Sequence, residues 1–344
     1  MRLTGLWRHA EFRKLWAGQA TSLVGSQMVG LALPLTAVIV LDASPLQMGA
    51  ITAVSALPAL FFGLHLGVWT DRRKRRPILV AADIGRALLL LSIPIAHQFD
   101  ALTIELLYAV AIGMGAMSLL FEIAYRSFLP AVISRDQLVE GNSKLEMAKS
   151  GAAVAGPSIS GVLIQAISAP FVMLFGAAAF AISAVIYGLL RVNEPDPTPA
   201  TSPDGQVQTA MAGIAEGLRF IRGNRTLVGI AGSQAILNLF NAAIEAIAIL
   251  YMVRELGLSP GLLGITFAAG SVGLFIGAAT VSRLTSRIGI GPVMTLGILM
   301  AAASDLILPL IGGPTPLVVV ALASGEVLLA TGFVLYNVGQ VSLR

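Results

Sequence analysis
The chain has 344 residues, 22 of them basic and 18 acidic, so charged side chains make up 12% where a soluble domain carries about 25%. Hydrophobic residues reach 56% and the mean hydropathy is +0.85, more apolar surface than a water-facing fold can hide, which excludes a cytosolic enzyme, a disordered protein and a secreted disulfide scaffold. The absence of cysteine removes disulfides, thiolate metal sites and cysteine nucleophiles, and a net charge of only +4 makes the pI of 9.7 a poor nucleic-acid signal.

From Met1 to Trp16 a charged stretch runs into a long apolar segment with no small-residue cleavage site. This is expected to be a retained first span rather than a signal peptide. A membrane-crossing helix needs about 20 largely apolar residues. Ten stretches qualify in chain order: Leu15–Leu41, Pro45–Trp69, Pro77–His97, Leu102–Arg126, Ser143–Ser168, Phe171–Leu190, Thr226–Met252, Pro260–Val281, Pro292–Ile311 and Pro316–Val338. Pro45, Pro77, Pro260, Pro292 and Pro316 fall near span starts, where a missing N–H costs nothing.

The cations predict the orientation. With the amino terminus in the cytoplasm, 20 of the 22 basic residues fall on the inner side, in the leader, the 2–3 loop, the 4–5, 6–7 and 8–9 connections and at Arg344. Arg86 lies within span 3 near that side and only Arg254 falls outside. Such asymmetry is the positive-inside pattern of a multi-pass protein of the plasma (inner) membrane, and it accounts for the pI. The outer loops are short. The one long connection, Arg191–Arg225, starts as a proline-rich linker from Glu194 and continues into a predicted surface helix, Val207–Ile221. The expected organisation is therefore a six-helix bundle over residues 1–190, a cytoplasmic linker over 191–225 and a four-helix bundle over 226–344.

The halves repeat at an offset of 210 to 215 residues. Span 1 is followed by Ser44-Pro45-Leu-Gln-Met-Gly49 and span 7 by Ser259-Pro260-Gly-Leu-Leu-Gly264. Gly63-x-x-x-Gly67 in span 2 matches Gly273-x-x-x-Gly277 in span 8, and a basic loop follows each. The first half holds six spans and the second stops after four, so the expectation is either a fragment or a natural ten-span product.

These features resemble the major facilitator superfamily. The loop Gly67-Val-Trp-Thr-Asp71-Arg72-Arg73-Lys74-Arg75-Arg76 looks like its signature between spans 2 and 3, although the usual glycine within the basic cluster is replaced. Ala82-Asp83-Ile-Gly-Arg86, Leu129-Pro130 and Leu138-Val-Glu-Gly-Asn142-Ser143 resemble the branch of macrolide, multidrug and enterobactin-type exporters. Gly156-Pro157-Ser-Ile-Ser-Gly161 is similar to the antiporter motif of drug:proton exchangers, with Ser160 where glycine often stands. The resemblance implies an all-α membrane fold, a major-facilitator-like bundle of about ten transmembrane helices, six in one half and four in the other.

It also implies that spans 1, 4, 7 and 10 line a central cavity, and three of these carry polar stripes. Span 7 places Gln234, Asn238, Asn241 and Glu245 on one helical face. Span 1 has Gln19, Ser22 and Ser26, and span 10 has Glu326 and Asn337. Hydrogen bonding between helices would explain the amides. The carboxylates Glu326 and Glu245 read as proton-coupling candidates, because an acid inside a membrane marks function by default. Asp305, on a span peripheral in the family, reads as a packing or outer-vestibule residue. Gly67, Asp71, Arg72, Arg75, Asp83 and Arg86 are expected to form an inner latch, with Asp71 accepting hydrogen bonds from a helix N-terminus. Asp83 and Arg86, three apart, are expected to pair or snorkel near the interface. Glu122 is expected either to pair with Arg126 or to face the cavity.

His9, His65 and His97 show no metal spacing, Gly-Lys never occurs and Gly113-x-Gly115 lacks a third glycine, so no metal, nucleotide or other cofactor is expected. The reading is a secondary transporter, not an enzyme: proton-coupled export of a small amphipathic compound, drug or siderophore-like, by alternating access. Its partners are that substrate, protons and membrane lipid, with no nucleic acid and the oligomeric state open. The alternative is a transport-inactive member acting as a membrane-bound regulatory or assembly partner.

Overall fold
Proline and short polar side chains set where the helices begin. In this computed structural model α1 runs Ala10–Leu35 and continues as a π-turn over Thr36–Val40; α2 is Pro45–Asp71, α3 Arg75–Gln98, α4 Ile104–Val132, α5 Leu138–Ile167 and α6 Ala169–Gly188. Then come α7 Arg225–Arg254, α8 Pro260–Ile288, α9 Ile290–Leu310 and α10 Thr315–Ser342. The structure describes residues 5–134, 137–192, 194, 219 and 222–342, the side chains of 139, 226, 230, 231 and 339–342 aside. The expected surface helix Val207–Ile221 lies outside the described residues.

Ser44 and Gln47 form a reciprocal capping box before α2: Gln47 N–H donates to Ser44 Oγ at 3.3 Å and Ser44 N–H to Gln47 Oε1 at 2.8 Å. Thr103 Oγ1 accepts from Leu106 N–H at the start of α4, and Asn224 Oδ1 from Leu227 N–H at the start of α7. Pro260 is the first residue of α8. Pro34 inside α1 removes one helical donor, and the wider π-turn follows two residues later. The short turns at Asp42, Asp100 and Ser168 hold non-glycine residues at positive φ of 48°, 52° and 76°.

Among the described residues ten helices are long and apolar enough to cross a bilayer. Large apolar side chains such as Leu46, Leu60 and Leu310 stand more than three-quarters exposed, an arrangement that suits lipid as the solvent and not water. The chain is a multi-pass membrane protein built entirely of helices among its described residues.

The described chain divides into two compact units. The first comprises residues 1–26, 49–149 and 173–231; the second comprises 27–48, 150–172 and 232–344. In the first, Leu79 and Ala82 of α3, Phe121 and Phe128 of α4, Phe12 and Leu15 of α1 and Tyr187 of α6 form one apolar cluster. Here the start of the linker is held: Glu194 accepts the N–H groups of Arg75 at 2.6 Å and Arg76 at 2.9 Å, capping α3. Arg76 in turn donates to the Tyr187 carbonyl at the end of α6.

In the second unit, small residues allow backbones to meet. A Cβ on Gly161 of α5 would lie 2.5 Å from Pro260 O, and one on Gly264 of α8 would lie 2.5 Å from Pro157 O. Gly156 presses equally close on Gln27 of α1, and Ser160 Oγ donates to Met28 O at 3.0 Å. Gly273 packs on Val327 of α10, and Thr331 Oγ1 bonds to Gly273 O at 3.1 Å. Arg254, the single cation expected outside, pairs with Asp42.

Candidate functional site
A cavity of about 650 Å³ lies wholly within the second unit, in the size range of small-molecule sites. Helical periodicity builds its walls. Asn238, Asn241, Glu245, Ala248 and Met252 of α7 recur at three- and four-residue steps, and Leu322, Glu326, Leu329 and Phe333 of α10 do the same, with Gly325 beside them. Gln27 and Gly30 of α1, Pro157 of α5, Phe267 and Ser271 of α8 and Ser304 and Asp305 of α9 complete the lining. Glu326 lies against α8, its Oε2 3.5 Å from where a Cβ on Gly270 would stand. Glu245, Glu326 and Asp305 make no hydrogen bond or ion pair with any described residue. Gln234 Nε2 donates to Asn238 Oδ1 at 3.4 Å, and Ser304 Oγ is tied to the Gly325 carbonyl at 2.7 Å.

Four residues of the expected polar set, Asn238, Asn241, Glu245 and Glu326, therefore share one cavity. Gln234 lies on the same face of α7 without lining it, and Asn337 donates to the Phe333 carbonyl of its own helix. Gln19, Ser22 and Ser26 belong to the first unit. There Gln19 Oε1 accepts from Tyr187 Oη at 3.2 Å, Ser22 meets Arg86, and Ser26 is half-buried. The α1 residues that do line the cavity, Gln27, Gly30 and Leu31, begin one residue after Ser26 in the same helix.

Asp305, expected to pack or face an outer vestibule, is one of the residues that line the cavity; an acid within a span is the signal that marks it. Pro157 is a wall residue as well, while Gly156 and Gly161 serve as contact points between helices.

In the first unit Asp83 and Arg86 form an ion pair at 0% and 3% side-chain exposure. This is a buried pair, not a snorkelling one. Arg86 Nη2 donates to Ser22 Oγ at 3.3 Å, and its guanidinium carbon lies 4.2 Å from the Phe121 ring and 4.3 Å from the Phe180 ring. Asp71 is exposed at the end of α2, with no hydrogen-bond or ion-pair partner among the described residues. The helix N-terminus that follows it, including Arg75 N–H, is capped by Glu194. Arg72 is exposed, and Gly67 faces open space among the described residues. Glu122 pairs with Arg126 at 2.5 Å, both largely exposed.

Residues 15–343 match the family model described as Major Facilitator Superfamily. The chain is 27% identical over 274 residues to the uncharacterized MFS-type transporter YfiS of Bacillus subtilis (strain 168), covering 78% of this chain and 63% of that protein. To the multidrug efflux pump Tap of Mycolicibacterium fortuitum it is 28% identical over 298 residues, covering 82% of this chain and 69% of Tap. This chain thus spans less than two-thirds of the length of YfiS. Among solved structures, the nucleoside transporter NupG superposes with a TM-score of 0.73 over 96% of this chain and 81% of that one. At 14% identity that likeness is one of fold.

Proposed function
The chain belongs to the Major Facilitator Superfamily, and from that premise we propose that it is a proton-coupled exporter of a small amphipathic compound, of drug or siderophore-like kind, working by alternating access. The family is one of transporters of small molecules, not of enzymes. The observation that carries the export reading is the cavity, in which Glu326 and Glu245 stand among apolar walls beside Asn238 and Asn241. A carboxyl group so placed can hold a proton and surrender it when water or a cationic group arrives. Similarity to a protein named a multidrug efflux pump supports the direction. The Asp71 to Arg76 loop, with Gly67 before it and the Asp83–Arg86 pair behind it, is assigned as the inner latch. The basic loops are placed in the cytoplasm with the amino terminus, and the membrane is the inner one.

The test is Glu326→Gln in inverted vesicles with an imposed pH gradient. The variant is expected to lose proton-driven movement of an amphipathic dye while still inserting and purifying as the parent does. Unchanged pH-dependent transport would remove Glu326 from the mechanism.

A further inference from the structure
The cavity is one-sided in charge. Glu245 comes from α7, Glu326 from α10 and Asp305 from α9, and among the described residues its lining contains no lysine, arginine or histidine. Asp305 and Glu245 both lie within electrostatic reach of Glu326. Each charge held inside a membrane is costly, and like charges repel further in a poorly polar site. These acids also have no hydrogen-bond or ion-pair partner among the described residues.

A second feature points to a missing occupant. Ser271 of α8 is 4% exposed and lines the cavity, yet its hydroxyl has no hydrogen-bond partner among the described residues; a buried polar group left so is costly until something meets it. Apart from Gln27, Asn238, Asn241 and Ser304 the rest of the wall is apolar, with the rings of Phe267 and Phe333 in it. Aromatic faces attract cations, and apolar walls hold a hydrophobic body. A metal ion does not suit the site, because no three acidic or histidine side chains among the described residues are grouped closely enough to hold one.

We propose that this cavity selects amphipathic organic cations, and that Asp305 is a specificity-determining residue for their charge. The inference rests on reading the same cavity as the substrate site of an exporter. Proton exchange at Glu326 leaves that carboxyl neutral for part of the cycle. A cationic substrate then needs a carboxylate on another helix, and α9 supplies it. An anion would meet two or three negative charges and no positive one.

The experiment compares two ions of equal shape and opposite charge. Equilibrium dialysis of the purified full chain in detergent, against protein-free micelles, measures binding of tetraphenylphosphonium and of tetraphenylborate to the parent, Asp305→Asn and Asp305→Glu. The parent is expected to favour the phosphonium at least tenfold. Asp305→Asn should weaken phosphonium binding about tenfold without weakening the borate, and Asp305→Glu should restore it. Asp305→Ser repeats the measurement if Asp305→Asn does not fold. Equal binding of the two ions by the parent, or an unchanged ratio in the neutral variants, overturns the proposal. Binding is read without transport, so a parent that binds the phosphonium selectively but moves nothing across vesicles defeats the exporter reading and leaves the charge selectivity standing.

Discussion
Arg86 illustrates how one side chain ties several helices together. Its guanidinium lies between the Phe121 ring of α4 and the Phe180 ring of α6, reaches Ser22 of α1 and pairs with Asp83 one turn earlier in α3. Arginine suits this place better than lysine, because a planar, weakly hydrated cation can stack and hydrogen-bond at once. Removing one member of a buried pair strands the other charge, at about 3–5 kcal/mol. Asp83→Asn should therefore melt well below the parent in a detergent thermal-shift assay. Asp83→Leu combined with Arg86→Met, which removes both charges, should recover most of the loss. A single variant that melts with the parent would show that the pair contributes little. The pairing was legible in the sequence, since residues three apart share a helix face. Its burial was not, because Ser22, Phe121 and Phe180 come from three other helices and no local pattern links them.

At the scale of elements, α5 and α8 meet through glycines. Lipid tails are as apolar as the side chains, so no hydrophobic force drives the two helices together, and close backbone approach has to supply the contact. Gly161 and Gly264 sit against each other's helices at distances that leave no space for a Cβ. Gly264→Val should lower the melting temperature, with overpacking of about 1–3 kcal/mol, and should broaden the elution profile in detergent. Gly151→Ala is the control, since that glycine faces open space. Equal effects from the two substitutions would count against the crossing. The number of spans and their starts were legible from length and proline placement, because the bilayer fixes one and helix chemistry the other. The Gly156-Pro157 to Gly161 motif was legible as a motif, but its partner helix was not: Gly264 is 103 positions away and spacing says nothing about which helices touch. In the same way no local pattern pointed to the cap on α3, because the chain returns at Glu194 to provide it.

For the whole molecule, the distribution of cations makes a claim about sidedness. On the proposed orientation the five basic residues from Arg72 to Arg76 and those around the 4–5, 6–7 and 8–9 connections lie together inside. Alkaline phosphatase fused after Asp100 should then be active in intact cells, and green fluorescent protein fused there should stay dark. The opposite pair of results would invert the orientation. The second unit also has a consequence for how the protein is made. Its pieces are residues 27–48, 150–172 and 232–344, so it cannot close until the last has left the ribosome. At about 5–20 residues per second, the Gly161 surface waits roughly 5–20 s for Gly264 to be synthesised. During that interval the nascent helix offers its small-residue flank to any passing neighbour, so early biogenesis is the time when α5 is most open to mispairing.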